Sequence, residues 1–421
     1  MQLKKNDSKK IYAFSVATKI LLVFIGLITS ALISRGLGVD LKGEYTYLVN
    51  ISSVVVIIAT LGIGQTYSFF VRQYGNKYRS IFINLNYFQF LVLVLICFIF
   101  LLLDINSYYY IMLLASVGMF RDNFVYLSTV ENIKQRNIIN LISKVIYLFT
   151  IILGYTFFKY HLNVFLYLLI LDEVVFSIIM VLKYRFLPTK TNFLSNEKKM
   201  VVKKIYKLGI ISMITLLLTT LNYSIDVIIL KFISTTTSVG LYSIGNSLAS
   251  MLWIIPDAFK EVILSKTSKD DSVKDIIFSL KCNIFISLII IIGFILVGKY
   301  FICLIYGNEY INSYLTTIIL LIGSLSMIFH KIISPLLYSK GLQKKLCIIF
   351  LEAVILNTFL NFILIPKYDI IGAAISSVFS YTLAGGLILK IFVKMYNLKI
   401  KDVIFIKLND IKLLVKKVKG V

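Results

Sequence analysis

Proline, cysteine, histidine and tryptophan are all scarce in this chain of 421 residues, with 4, 4, 2 and 1 respectively. So few prolines leave long helices uninterrupted, because proline is the residue that removes an internal helix hydrogen bond. The cysteines, Cys97, Cys282, Cys303 and Cys347, show no CxxC or histidine-partnered spacing. That argues against both a disulfide framework and a metal centre. His161 and His330 are far apart, and no phosphate-binding loop, nucleophile elbow or paired-carboxylate spacing occurs in a polar segment, so neither an enzyme nor a cofactor is expected. Acidic residues are also few: 20 Asp and Glu face 44 Lys and Arg, for a formal charge of +24. On a soluble protein that surplus would suggest nucleic acid, but no base-reading motif accompanies it. It reads instead as a topology signal and an attraction to anionic membrane lipid.

What the chain has in abundance is apolar sequence, 59% of all residues. About 20 such residues cover the hydrocarbon of a bilayer, where the backbone must satisfy itself as helix. Twelve stretches qualify, at residues 11–34, 45–70, 81–103, 108–131, 138–158, 162–183, 205–231, 239–264, 276–298, 314–338, 347–366 and 371–396. The chain therefore reads as an all-α membrane protein of 12 transmembrane helices. Lys and Arg collect in every second connection; the alternate set holds only Arg35, Lys42, Lys159, Lys299 and Lys367. Cytoplasmic loops carry the basic excess, so both termini are expected in the cytoplasm. The basic start before residue 11 leads into a full span without a small-residue cleavage site, which reads as a retained first helix.

The longest connection, with Pro188 and the run Glu197-Lys198-Lys199, divides the spans into two sets of six. The expected organisation is an N-terminal lobe at 1–183, a cytoplasmic linker at 184–204, a C-terminal lobe at 205–398 and a basic cytoplasmic tail at 399–421. That tail is either an amphipathic helix on the leaflet or unstructured. Gly43-Glu44-Tyr45 and Gly240-Leu241-Tyr242 enter equivalent spans, and Lys159-Tyr160 and Lys367-Tyr368 occupy the last external turns of the two halves. A parallel repeat, with its pseudo-two-fold along the membrane normal, is expected from an even number of spans per half.

Several motifs follow one another in an order that resembles bacterial polysaccharide flippases of the Wzx type. Arg35-Gly36-Leu37-Gly38, Gly43 and Tyr45 are followed by Leu61-Gly62-Ile63-Gly64. Asp226, Gly240, Tyr242, Ile255-Pro256-Asp257 and Tyr306-Gly307 come next, and Asn361, Pro366, Tyr368 and Gly372-Ala373-Ala374 close the series. One departure is Asp369, where the family pattern has glycine after the tyrosine. The resemblance implies a MATE-like fold, two six-helix lobes around a central cavity, within the multidrug, oligosaccharidyl-lipid and polysaccharide exporter superfamily. It also implies the cargo: an undecaprenyl-pyrophosphate-linked oligosaccharide moved from the cytoplasmic to the outer leaflet for O-antigen, capsule or exopolysaccharide synthesis.

The residues themselves suit transport. Ser15, Lys19, Gly26, Ser30 and Ser34 share a face of span one, and Ser212, Thr215, Thr219, Asn222 and Asp226 share one in span seven; in span eight Ser243, Asn246, Ser250, Trp253, Asp257, Lys260 and Glu261 do the same. Such stripes line either a cavity or a neighbouring helix. Charge inside a span is costly and marks function or pairing. Lys19, Arg121, Lys144, Lys260 and Lys331 are the candidates to bind pyrophosphate, although lysines near a cytoplasmic end also snorkel to the interface. Lys231 and Lys281 lie near span boundaries. Asp172, Glu173, Asp226 and Glu352 are the candidates to bind a coupling ion, H⁺ or Na⁺, with Asp122, Asp257 and Glu261 as further intramembrane acids; neutralisation of a nearby cation is their rival role. Lys144 and Glu352 occupy equivalent places in the two halves, which suggests a pair between them. Pro256 and Pro335 are expected to kink their helices, and Tyr108, Tyr109 and Tyr110 to join an interfacial belt.

The expected function is alternating-access flipping in the bacterial cytoplasmic membrane, with polysaccharide polymerase machinery as a partner. A cation-coupled multidrug exporter of the same fold is the alternative; a polymerase would need a large external loop that the chain lacks.

Overall fold

In the computed structural model, residues 5–103, 106–189, 196–257, 259–260 and 273–405 are described. The side chain of Ser15, Glu261 and the tail at 406–421 lie outside these described residues. The helices are α1 (Lys5–Thr60), α2 (Ile63–Tyr74), α3 (Arg79–Leu102), α4 (Asn106–Phe157), α5 (Leu162–Tyr184), α6 (Asn196–Ile233), α7 (Thr236–Met251), α8 (Val273–Ile305), α9 (Ser313–Ser339), α10 (Gln343–Met395) and a short α11 (Ile400–Ile404). Among the described residues there is no strand, and seven helical stretches are long and apolar enough to cross a membrane.

Over the described residues each of the twelve predicted stretches falls on helix, apart from the turns at 61–62 and 252–253 and single residues at some ends, and the longest helices are pairs joined across a break. The breaks lie at Gly38 (φ 72°, ψ 174°) in α1, Asn132 (φ −159°, ψ 90°) in α4 and Asp369 (φ 49°, ψ −127°) in α10. At the last of these the chain folds back on itself: a Cβ on Gly372 would lie 2.3 Å from the carbonyl oxygen of Leu364. Only glycine permits that approach. Of the two expected proline kinks, Pro256 follows the end of α7 at Met251, whereas α9 runs through Pro335 without interruption.

The chain forms two compact units, Met1–Leu221 and Asn222–Val421, and the division falls inside α6. In the first unit, Phe70, Phe82, Phe124, Phe176 and Phe186 build one apolar cluster, and Leu37, Tyr45, Leu114, Ile151 and Phe165 build another. In the second, Val227, Leu230, Tyr242, Leu320, Ile365 and Ala373 pack together.

The Leu61-Gly62-Ile63-Gly64 motif explains a local irregularity in the first unit. Between α1 and α2 both Leu61 and Gly62 have positive φ, which opens the helix and frees carbonyls. Gln89 of α3 closes that gap: its amide nitrogen donates to the carbonyls of Ala59 and Thr60 at 3.1 and 3.4 Å. The oxygen of the same amide accepts from Asn123, which also donates to Asn86, and Asn123 in turn accepts from the backbone N–H of Gly64 at 3.1 Å. Buried backbone groups left open would each cost roughly 1–3 kcal/mol, and the amides of Gln89 and Asn123, the latter braced by Asn86, offset that cost.

Candidate functional site

Two candidate classes that the sequence keeps apart, cations and acids, meet in the first unit. Asp172 and Glu173 are consecutive on α5, so their side chains leave the helix about 100° apart. Each faces a different part of α4. Arg121, before the Asn132 break, places Nη1 3.0 Å from Oε1 of Glu173. Lys144, after the break, donates to Oδ2 of Asp172, whose Oδ1 accepts from Ser143 at 2.7 Å. Lys144 therefore pairs with Asp172 of its own unit; Glu352, its anticipated partner, is exposed on α10.

Both cations also rest on aromatic faces. The Arg121 guanidinium lies 4.9 Å from the ring centre of Phe176, and the Lys144 ammonium 5.1 Å from that of Tyr147. Phe176 is one helical turn beyond Glu173, so the same face of α5 supplies the counter-charge and the platform. A planar guanidinium keeps its N–H edge available while its face is stacked.

Arg121 and Glu173 line a cavity of about 420 Å³, together with Asp122, Ser52, Ser53, Tyr126 and Thr220. Asp122 shares this lining despite pointing away from Arg121 along the helix. One guanidinium and two carboxylates thus share the lining. The second oxygen of Glu173 is buried and accepts no hydrogen bond.

The second unit holds a different arrangement around Asp226 of α6, which is fully buried. Its Oδ2 accepts from Ser377 at 2.6 Å and Tyr242 at 2.9 Å, and its Oδ1 accepts from Asn361 at 2.6 Å. Asn361 also donates to Asn357, Asn357 to the carbonyl of Asn222, and Ser380 to the side-chain oxygen of Asn222. The hydrogen-bond partners of Asp226 are all neutral donors. Three further polar atoms of this cluster are buried without a partner: Nδ2 of Asn222, Oδ1 of Asn361 and the hydroxyl of Tyr381.

This cluster unites three motif positions, Asp226, Tyr242 and Asn361, that lie far apart in sequence. Asn357, Ser377, Ser380 and Tyr381 were missed by the sequence reading. Asn357 and Asn361 are four residues apart, and Ser377, Ser380 and Tyr381 lie at helical spacing; polar residues in that pattern on an apolar helix were the available signal.

A third group joins α9 to the segment after α7. The Lys331 ammonium lies 2.9 Å from both carboxylate oxygens of Asp257 and 5.1 Å from the ring centre of Trp253. Trp253 donates to the carbonyl of Ser324 and packs against Tyr223 and Tyr381.

Lys19 and Lys260 are half-buried, as is Lys231, and Lys281 is buried. Among the motif positions, Gly43, Tyr45, Gly240 and Pro256 are buried, Gly38 marks the α1 break, and Arg35 and Pro366 are exposed. No cluster of three or more potential metal ligands occurs among the described residues.

No family model matches the chain, and no curated protein sequence matches it. Its fold does match solved structures. It is similar to the lipid II flippase MurJ in an inward closed conformation, with TM-score 0.72 and 16% identity over 97% of this chain and 93% of that one. It is also similar to a multidrug resistance MATE family transporter of the MOP superfamily in an inward-facing conformation, with TM-score 0.67 and 13% identity over 92% and 98%. A MOP superfamily transporter from Pyrococcus furiosus, described as having a binding pocket of reverse polarity, matches with TM-score 0.62 and 13% identity over 92% and 96%. The chain shares the fold of these transporters and of the flippase.

Proposed function

We propose that this protein is a flippase of the bacterial cytoplasmic membrane, both termini in the cytoplasm, that carries undecaprenyl-pyrophosphate-linked oligosaccharide to the outer leaflet for polysaccharide synthesis. The observation that carries this reading is the Arg121 guanidinium. It is stacked on Phe176 and lines a cavity of about 420 Å³, in a fold that a lipid II flippase shares across nearly the whole chain. A guanidinium edge matches two phosphate oxygens at once. Lys144, on the neighbouring acid, adds a second positive charge to the same part of the unit, and Lys331 a cationic site in the other. The polyprenyl tail remains in lipid while the glycan crosses through polar surroundings, and a polysaccharide polymerase takes up the product.

Asp226 is the proposed coupling site. A carboxylate buried among neutral donors, with no cation among its hydrogen-bond partners, is suited to bind a proton or a cation in one state of the cycle and release it in another. Exchange of that H⁺ or Na⁺ between the two sides ties the gradient to the alternation of access.

A specific observation favours a second reading. The two carboxylates beside one guanidinium give the cavity the polarity expected for a cationic cargo, as in a cation-coupled multidrug exporter. One experiment separates the two. Proteoliposomes containing the purified protein are loaded with a lipid-linked oligosaccharide, and its movement between leaflets is followed under H⁺ and Na⁺ gradients. Movement above empty liposomes, lost in Arg121→Ala and uncoupled from the gradient in Asp226→Asn, is the expected result. Transport of a cationic dye with no oligosaccharide movement would establish the multidrug reading instead.

A further inference from the structure

Arg121 is already occupied. An anion that takes the Nη1 donor of its guanidinium must displace Glu173, and the fate of that carboxylate is constrained by what surrounds it. Its Oε1 takes the guanidinium at 3.0 Å, its Oε2 is buried without a donor, and its side chain is 12% exposed. Lys144 is close enough to act on it electrostatically, as are Asp172 and Asp122. Tyr45 and Tyr147 also lie within electrostatic range. Lys144, the one other cation in this set, is engaged by Asp172. The two neighbouring acids disfavour a second free carboxylate. An anionic headgroup entering the cavity would thus meet the negative charges of Asp122 and Glu173 with a single positive charge between them.

We infer that Glu173 is a built-in anion that holds Arg121 until a diphosphate headgroup replaces it, and that the displaced carboxylate takes up a proton, so headgroup and proton bind together. This rests on the reading that Arg121 binds the diphosphate. The exchange is balanced without covalent chemistry. A phosphate oxygen accepts the guanidinium N–H that Glu173 gives up, and Glu173 passes from carboxylate to carboxylic acid by binding one proton from the cytoplasmic side. Phe176 keeps the guanidinium in place during the exchange, because the stacking contact does not depend on Glu173. The consequence for transport is that an acidic compartment loads the carrier and an alkaline one unloads it, through the first unit and independently of Asp226.

The test uses the full chain in nanodiscs with inorganic pyrophosphate as the probe. For the wild type, affinity should weaken by about tenfold per pH unit across the range where one proton is lost, beyond the pH dependence of pyrophosphate itself. That ligand contribution is fixed by free pyrophosphate titrated in the same buffers. Glu173→Gln, which removes the competing charge, should bind at least tenfold more tightly at pH 8 and lose that one-proton slope; Glu173→Asp should keep it. Proton uptake on adding pyrophosphate to the wild type, followed with an indicator dye in weak buffer, gives the same answer without relying on a variant that folds. Binding that needs Arg121 but takes up no proton, with Glu173→Gln unchanged in slope, would overturn this inference and leave the proposed function standing. Absence of pyrophosphate binding, or binding indifferent to Arg121→Ala, would remove both.

Discussion

Gly62 and Gly209 meet backbone to backbone: a Cβ on Gly62 would lie 2.1 Å from the carbonyl oxygen of Gly209, and one on Gly209 would lie 2.4 Å from that of Leu61. The opened turn between α1 and α2 is therefore pressed directly against α6, with no side chain between. Gly62 also needs its positive φ of 65°, so two independent constraints exclude other residues there.

Gly209→Ala tests the contact without touching the turn itself. The added methyl must push α6 away from the Leu61 carbonyl, and overpacking of this kind costs about 1–3 kcal/mol. The apparent melting temperature of the purified protein should fall by several degrees, whereas Gly26→Ala, whose Cβ meets nothing within 4 Å, should leave it unchanged. Equal melting temperatures for the two variants would show that α6 shifts without cost.

Asp369 offers a second test, because it adopts a glycine-like conformation at the break in α10. Its carboxylate holds the start of α7, accepting from Ser234 at 2.5 Å and from Ser238 at 2.6 Å. Backbone strain of this type costs about 1–3 kcal/mol, and hydrogen bonds to a charged group return a similar amount. Asp369→Ala should lower stability most, since it keeps the strain and loses both bonds. Asp369→Gly should be milder, because it relieves the strain. Chemical unfolding of the two variants alongside the wild type checks the order, and a glycine variant less stable than the alanine one would contradict it.

The third prediction concerns pH at the polar surface beside the linker. Glu197, in the first turn of α6, accepts from Lys77 at 2.7 Å and from Tyr78 at 3.0 Å. Those hydrogen bonds hold its carboxyl below the usual range and raise the Lys77 ammonium above its own. For a depressed carboxyl, the stabilising contribution is present above the unfolded value near 4.5 and is lost as pH falls through the folded value. For Lys77 the contribution is present at and below 10.5 and is lost only above it. The contact should therefore persist through neutral pH and open in acid. Oxidative footprinting of Tyr78 should rise below about pH 4.5, and Glu197→Gln should raise it at neutral pH and flatten the acid response. A flat wild-type profile would show that Glu197 does not govern this contact.

The sequence made the helices legible, because bilayer-length apolar runs leave the backbone no other structure. It did not reveal where they break. Asn132 interrupts α4 with neither glycine nor proline, and Pro335, an obvious candidate for a kink, sits in a continuous helix. Charged residues could be named because each is expensive in lipid, yet their pairing could not. Arg121 finds Glu173 and Lys144 finds Asp172 because α4 breaks at Asn132 and presents two segments to α5. The Asp226 cluster was half visible: its motif residues could be picked out, while the serines that complete it look like ordinary small residues in a packed helix.

Helix α6 carries Gly209 in one unit and Asp226 in the other without interruption. Within the second unit, Asn222 and Asp226 lie one turn apart on it and reach the same cluster. Inserting a single residue between them would turn one by about 100° relative to the other, so one of the two would lose its hydrogen bonds. This turn of α6 should therefore tolerate a change of residue type at Ile225 far better than a change of residue number.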